Sequence, residues 1–177
     1  MTTTRPPRTR TGTTTERPVR ICPYDAEWPR LFELERAALE PAIGTWADGG
    51  IHHVGSTAVR GIDAEPVIDI LVGTAAEAGR RACLDPLAAL GYRHSHPDDR
   101  HLHREDPDLG AFYLILVTTA DPRFQETLAF REHLRANIHA ALGFTGMKRD
   151  LVDRYGHDRR AYTTAKVELI DSVLISL

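Results

Sequence analysis

A short segment near the middle of the chain has the residue types and spacing to bind a phosphate group beside a carboxylate. The sequence runs His53-Val54-Gly55-Ser56-Thr57, and Asp69 follows inside the apolar segment Val67–Val72. The glycine lets a ligand approach the backbone, while Ser56 and Thr57 place hydroxyls beside free N–H groups, which suits phosphate. A carboxylate in an apolar segment is costly unless it is paired, hydrogen-bonded or bound to a metal. Two explanations are open: a structural Asp69 that caps a turn, or a metal–nucleotide site.

Apolar segments predict the strands that must position these residues. Ile51–Gly55 and Val67–Val72 lie on either side of the small-residue turn, and Ala111–Thr118 is apolar on both faces, as expected of a buried strand. Val19–Ile21 predicts a short strand or an extended entry to the domain. The span Tyr92–Leu109 is polar and rich in histidine, which favours a solvated loop that leads into a strand.

Helical signals surround these strands and dominate the last third of the chain. They predict helices over residues 25–44 and 75–90, a third from residue 121, a fourth that stops at residue 156 and a fifth from about residue 158. Asp25 is the candidate N-cap of the first helix. Because the order lacks regular βαβ alternation, the sequence predicts an α+β domain with a small mixed β-sheet, flanking helices and a C-terminal helical cluster.

Length and composition set limits on the class of protein. The chain has 177 residues and a formal net charge of -3, which gives no general case for binding nucleic acid or an anionic membrane. No apolar segment approaches the roughly 18 residues that a membrane span needs. The two cysteines form no CxxC pair, which favours free thiols and a cytoplasmic location. Residues 1–18, mostly Thr, Arg and Pro, predict a disordered tail, and residues 19–177 a single domain.

A histidine-rich segment, His94–His103, is dense in metal-ligating residue types. His101 and His103 share a face if the segment is a strand, so a two-histidine zinc clamp is one interpretation. The alternative is a solvated loop that borders the ligand cleft.

The predicted C-terminal helices carry five basic residues of interest: Arg131, Arg135, Lys148, Arg149 and Lys166. Arg131 and Arg135 are four residues apart and share a helix face, so their guanidinium groups can clamp a phosphate or a carboxylate. Ordinary surface charge is the alternative for each. Tyr162 could stack on a base or pack in the core.

Taken together, these segments resemble the GrpB family (UPF0157), a branch of the polymerase-beta-like nucleotidyltransferase superfamily. The resemblance extends over about residues 19 to 175. It rests on the segments His53–Val59, Gly61, Pro66–Ile70, Leu128–Arg131, Leu134–Asn137, Lys148-Arg149, Ala161–Thr163 and Ala165-Lys166, with Tyr24-Asp25 and Trp28-Pro29 before them. It implies a nucleotidyltransferase fold, a Gly-Ser turn against the triphosphate of ATP or another NTP, and Mg²⁺ or Mn²⁺ bound by carboxylates.

The resemblance also implies a role for each candidate residue. Asp69 becomes a metal ligand and a catalytic residue. The phosphate- and nucleotide-binding set becomes Gly55, Ser56, Thr57, Arg131, Arg135, Lys148, Lys166 and Tyr162. The cleft-lining set becomes His53, His101 and His103.

The sequence departs from the family pattern at several polar positions. The position two residues after Asp69, where nucleotidyltransferases of this superfamily place a second carboxylate, is Leu71. The family's usual lysine before the proline is Glu65, which we interpret as a substitute metal ligand and catalytic residue. His52 stands where the family usually has glutamate. A single carboxylate is a poor magnesium site unless substrate phosphates complete the coordination shell.

Three hypotheses are compatible with these residues. The first is an enzyme that transfers a nucleotidyl or phosphoryl group from an NTP–Mg complex to a small acceptor. The second is a catalytically silent module of the same fold that binds a nucleotide or a protein partner; GrpB-like domains occur fused to dephospho-CoA kinase in some actinobacteria. The third is a small-molecule enzyme with a repurposed cleft. The predicted ligand is a small molecule that contains phosphate, and a protein partner is the alternative. Neither nucleic acid nor a membrane is expected.

Overall fold

A mixed five-stranded sheet forms the centre of the protein. A computed structural model describes residues 18–95 and 100–175, so all of the predicted tail except Pro18 lies outside the described residues. The strands are β1 (Gly50–Val54), β2 (Val67–Thr74), β3 (Arg93–His94), β4 (His101–Asp106) and β5 (Gly110–Thr118). Their order across the sheet is β1-β2-β5-β4-β3. The pair β2 and β5 is parallel, and the other neighbours are antiparallel.

In the described part of the chain, six α-helices flank the sheet. They are α1 (Trp28–Ile43), α2 (Glu77–Ala82), α3 (Leu84–Ala89), α4 (Pro122–Ala136), α5 (Ile138–Tyr155) and α6 (Arg159–Ile175), and a 3-10 turn, Ser56–Ala58, follows β1. Within the described ranges, none of these helices combines the length and apolar character that crossing a membrane requires.

Three local predictions differ from the structure. The predicted helix over residues 75–90 is two short helices, α2 and α3, because Pro86 has no N–H with which to continue a single hydrogen-bonded ladder. The N-cap of α1 is Glu27 rather than Asp25, whose carboxylate instead accepts a hydrogen bond from the Glu27 N–H at 2.9 Å. The span Tyr92–Leu109, predicted mainly as a loop, contains β3 and β4.

Alternation along β2 assigns its side chains to two different layers. Ile68, Ile70 and Val72 point into the main core, which α1 closes with Trp28 and Phe32. The residues between them point to the opposite face, where Leu71 packs with side chains of β1, β5 and α4. Because side chains of a strand alternate between faces, Asp69 lies on this second face, toward the C-terminal helices.

One buried charge network joins α1 to the sheet. Glu35 is 1% exposed and accepts a hydrogen bond from the Tyr92 hydroxyl at 2.9 Å. The Arg104 guanidinium donates to the same carboxylate and, at 2.6 Å, to Asp106. It also lies 5.6 Å from the centre of the Phe112 ring. The Glu35 charge is therefore compensated by one cation on β4.

Removing that cation should destabilise the protein much more than removing an exposed one. Arg104→Met leaves the buried Glu35 carboxylate without its cation, and we expect a loss of about 3 kcal/mol in the free energy of unfolding. Urea denaturation measures this loss. Arg81→Met is the matched control, because Arg81 is 73% exposed in its ion pair with Glu77.

Adding Glu35→Gln to Arg104→Met should restore part of the loss, since the amide is uncharged and can still accept the Tyr92 hydrogen bond. An equal loss in the single and double variants would contradict the buried-charge explanation.

Candidate functional site

The turn after β1 passes directly over the Asp69 side chain. Register pairs Val54 with Asp69 across β1 and β2, so the next residue, Gly55, comes against the carboxylate. Gly55 has φ 69° and ψ -169°, a conformation that side chains rarely allow. A Cβ at this position would lie 2.8 Å from Asp69 Cγ. Only glycine therefore allows the turn and the carboxylate to share this space.

The Asp69 carboxylate lies deep among protein atoms but is not closed off from solvent, since the residue keeps some exposed surface. Burial raises the pKa of Asp69 to about 6, the Glu65 charge adds to this effect, and the charges of Lys166 and Lys148 oppose it. Among residues 18–95 and 100–175, no group donates a hydrogen bond to this carboxylate. At neutral pH Asp69 is therefore an ionised carboxylate without a direct partner among the described residues. We call the region around it, with Gly55, Ser56, Glu65, Lys148 and Lys166, the Asp69 cleft.

Lys148 of α5 fixes the hydroxyl of the turn. Its side chain is 1% exposed, and its Nζ donates to Ser56 Oγ at 2.9 Å and to the Asp63 carbonyl at 2.5 Å. Burial, and then the charge of Lys166, lower the pKa of Lys148 to about 7. The ammonium also lies 5.0 Å from the centre of the Phe144 ring. Lys148 thus fixes the Ser56 hydroxyl by a hydrogen bond, and its charge favours the ionised form of Asp69.

Glu65 lies beside Asp69 and between two cations of α6. Its carboxylate accepts a hydrogen bond from Arg159 at 3.1 Å and lies 3.8 Å from Lys166 Nζ. Tyr162 is 1% exposed; burial and then the Glu65 charge raise the pKa of its hydroxyl above the usual range. That hydroxyl has no well-formed hydrogen bond within the described part of the chain. The structure therefore places Tyr162 in the core, behind Glu65, rather than on an open stacking surface.

The Thr57 hydroxyl makes its hydrogen bonds to other residues of the protein. It donates to the Val67 carbonyl at 3.2 Å and lies 3.0 Å from His53 Nε2. Because the hydroxyl proton is already donated to Val67, the proton of the second contact belongs to His53 Nε2. The Thr57 side chain is thus unavailable to a phosphate in this arrangement, and only its backbone remains a candidate.

His53 faces away from Asp69. Its pairing with Ile70 directs the ring to the main core, where it stacks on Phe32 with 4.8 Å between ring centres. Burial, and then the charges of Arg135 and Arg131, lower the pKa of His53 to about 4. His53 is therefore neutral near pH 7 and lies on the other side of β1 from the Asp69 cleft.

Arg131 and Arg135, predicted as a phosphate clamp, bind the backbone at the two ends of the turn. Arg131 Nη1 donates to the His53 carbonyl at 2.8 Å, and Arg135 Nε donates to the Ala58 carbonyl at 3.0 Å. Both arginines thus stabilise the turn from outside the sheet, whereas the charges of Lys148 and Lys166 favour the ionised form of Asp69.

His101 and His103 lie on the same sheet face as Asp69 but farther across the sheet. Register aligns Asp69 with Tyr113 on β5, and Tyr113 with His103 on β4. The His101 ring stacks on Tyr113 with 5.9 Å between ring centres. His103 Nδ1 is buried, and no described residue satisfies it. The structure therefore places the two histidines two strands away from Asp69, on the same face of the sheet.

The described residues contain no group of three or more His, Cys, Asp or Glu side chains that could hold a metal ion. The central part of the histidine-rich segment, residues 96–99, lies outside the described residues. The zinc clamp therefore stays a prediction that rests on two histidines.

Two contributors to the site were missed in the sequence. Asp63 supplies the carbonyl that Lys148 binds, and its carboxylate pairs with Arg149. Arg159 pairs with Glu65. A signal for Arg159 was present, because Arg159, Tyr162 and Lys166 follow the i, i+3, i+7 spacing of one helix face. Asp63 had no comparable signal, since it contributes through its backbone.

Comparisons with known proteins agree on the family and the fold. A family model described as GrpB protein matches residues 18–175. Glutamate-rich protein GrpB of Alkalihalophilus pseudofirmus is 30% identical over 159 residues, 85% of this chain and 91% of that protein. Dephospho-CoA kinase of Mycolicibacterium paratuberculosis is 31% identical over 179 residues, 84% of this chain and 43% of that protein.

A crystal structure of the conserved protein GrpB from Enterococcus faecalis matches the fold with a TM-score of 0.73. The identity is 20%, and the match covers 89% of this chain and 98% of that one. It confirms the predicted fold class, a mixed sheet with flanking helices.

Gly55→Ala should destabilise the protein more than the same change at another glycine with positive φ. Both Gly55 and Gly61 have positive φ, but a Cβ at Gly61 would meet nothing within 4 Å. We expect Gly61→Ala to cost about 1–2 kcal/mol from backbone strain, and Gly55→Ala about 1–3 kcal/mol more from overlap with Asp69. Urea denaturation measures both, and equal losses would show that Asp69 does not crowd the turn.

Asp69→Asn should stabilise the protein near neutral pH. Because the pKa of Asp69 is raised from 3.8 to about 6, the folded wild type resists losing a proton that the unfolded chain releases above about pH 4. Wild-type stability therefore falls as pH rises from about 4 to 6, and the variant avoids this loss. We expect an advantage of about 1–3 kcal/mol near pH 7 and little near pH 4.

Denaturation of both proteins across this pH range measures the difference. Asp85→Asn, on the exposed surface of α3, is the control and should follow the wild type. A constant difference at every pH would mean that desolvation of Asp69 is not its cause.

Proposed function

The chain belongs to the GrpB family, and on that premise we propose that it binds a nucleoside triphosphate with magnesium in the cleft around Asp69. We propose further that it transfers a nucleotidyl or phosphoryl group from ATP or another NTP to a small acceptor. The observation that carries the proposal is the Asp69 carboxylate itself. It lies deep in the protein but keeps some exposed surface, and it has no direct partner among the described residues. It lies against the Gly55–Ser56 turn and near the charges of Lys148 and Lys166.

A divalent cation fits this cleft only if the ligand supplies part of its coordination. Asp69 offers an uncompensated carboxylate, and Glu65 lies nearby, although Arg159 and Lys166 already pair with it. Leu71, two residues after Asp69, cannot ligate a metal. These residues suit a Mg²⁺ or Mn²⁺ ion that arrives with phosphate oxygens, and they do not suit an ion held by protein alone. When bound, such an ion neutralises phosphate charge and aligns the oxygens of a phosphoryl transfer.

The protein's own groups have separate roles in this proposal. The backbone N–H groups of the turn bind phosphate oxygens, which Gly55 permits by allowing close approach. Lys148 positions the Ser56 hydroxyl, and its buried charge favours an anion beside it. Lys166, whose side chain is 28% exposed, is the cation placed to meet the ligand from the solvent side. Each role follows from a contact or a charge rather than from the turn sequence alone.

A catalytically silent binding module is the second candidate. The lack of an acid two residues after Asp69 favours it, because two-metal transfer uses paired carboxylates. The match to less than half of a protein named dephospho-CoA kinase also suits a module that accompanies a catalytic region. Such a module would bind a nucleotide, or a protein partner, without turnover.

Turnover assays separate the two candidates. With a panel of NTPs, Mg²⁺ or Mn²⁺ and small hydroxyl, amine and phosphate acceptors, we expect release of pyrophosphate or of nucleoside diphosphate. Asp69→Asn should lower the rate at least about 100-fold, since it removes the carboxylate charge that would bind the divalent cation of the NTP complex. Asp85→Asn should keep the wild-type rate. Because Asp69→Asn is expected to be the more stable protein, unfolding would not explain its loss.

Two results would overturn the transferase proposal. Turnover that persists in Asp69→Asn would place the chemistry elsewhere. Nucleotide binding that raises the melting temperature equally with and without Mg²⁺, and no turnover with any acceptor, would favour the silent module.

A further inference from the structure

A second pocket, of about 350 Å³, opens at the outer edge of β1. Helices α1 and α4 form its sides, through Phe32 and Arg36 on one and Arg131 and Arg135 on the other; Ile51 and His53 of β1 form its floor. Within the described part of the chain, β1 is one of the two edge strands of the sheet. The residues that surround Asp69 do not line this pocket, so it is separate from the cleft discussed above.

Three guanidinium groups give the pocket a cationic character. Arg36 comes from α1, and Arg131 and Arg135 from α4. Backbone carbonyls of the turn fix the two arginines of α4, at 2.8 and 3.0 Å. A fixed fork of N–H donors matches a carboxylate or a phosphate, and little side-chain entropy remains to be lost on binding. His53 adds a neutral, flat surface between them.

An exposed glutamate already occupies this fork. Glu132 Oε1 lies 2.7 Å from Arg131 Nε and from Arg131 Nη2, and 3.3 Å from Arg135 Nη1. Its side chain is 56% exposed. An exposed ion pair of this kind contributes only about 0–1 kcal/mol, so another anion can displace it at small cost. Glu132 does not itself line the pocket, but its position shows that an anionic oxygen can bind both guanidinium groups at once.

We propose that the pocket at the edge of β1 binds a small molecule through a carboxylate or phosphate group, which replaces Glu132 at Arg131 and Arg135. The rest of the ligand lies over Phe32 and Ile51, and Arg36 faces it from α1. Glu33, which lines the pocket, pairs with Arg36 at 2.6 Å and is likewise 56% exposed, so it can also move aside. The site requires no metal and does not depend on the transferase proposal.

Calorimetric titration with inorganic phosphate and, separately, with succinate tests this site. The two probes distinguish a phosphate site from a carboxylate site, and we expect the wild type to bind at least one. Glu132→Gln should bind that anion about two- to fivefold more tightly, because the competing carboxylate is gone. Arg36→Gln should bind it more weakly by a similar factor. Arg30→Gln is the control, since Arg30 is an exposed residue of α1, paired with Glu27, and does not line the pocket.

Lys166→Gln separates this site from the Asp69 cleft. Anion binding at the edge of β1 should survive this change, whereas binding of phosphate in the cleft should not. The proposal is overturned if neither probe binds to the wild type or to Glu132→Gln. It is also overturned if Arg36→Gln and Glu132→Gln both keep the wild-type affinity, or if Lys166→Gln abolishes binding.

Discussion

The close approach of the Gly55 backbone to the Asp69 carboxylate is the constraint on which the rest of the site depends. Burial makes the ionised form of Asp69 costly, and its pKa rises accordingly. No hydrogen bond from the described residues offsets that cost, so the compensation comes from lysine charges at longer range. A carboxylate kept in this state reduces stability, and groups with pKa values perturbed in this way cluster at functional sites.

The cations of the C-terminal helices divide between two tasks. Lys148 and Lys166 lie on the Asp69 side, where burial lowers the pKa of Lys148 to about 7 and Lys166 pairs with Glu65. Arg131 and Arg135 lie outside β1 and bind carbonyls at both ends of the turn. Lysine is suited to a place near the Asp69 carboxylate because its pKa shifts on burial. Arginine is suited to binding the turn because its planar group makes several hydrogen bonds at once.

Side chains from several parts of the chain bind the turn and hold its backbone in place. Lys148 binds Ser56 from one side, Thr57 is tied to Val67 beneath, and two arginines bind the flanking carbonyls. The backbone of the turn is thus held in place by contacts within the protein itself. The same two arginines line the pocket at the edge of β1. One pair of side chains therefore contacts the turn and also lines a separate cavity.

The sequence alone determined the local parts of this protein. Strands β1, β2 and β5, the glycine turn and the start of α4 follow from patterns of a few neighbouring residues, and the motifs identified the family. The tertiary structure decided where the side chains lie and which groups they contact. It buried the Thr57 hydroxyl and Tyr162, paired Glu65 with Arg159, turned His53 away from Asp69 and sent Arg131 and Arg135 to the backbone. Each of these outcomes depends on packing between residues far apart in the chain, and hydrophobic periodicity carries no information about such contacts.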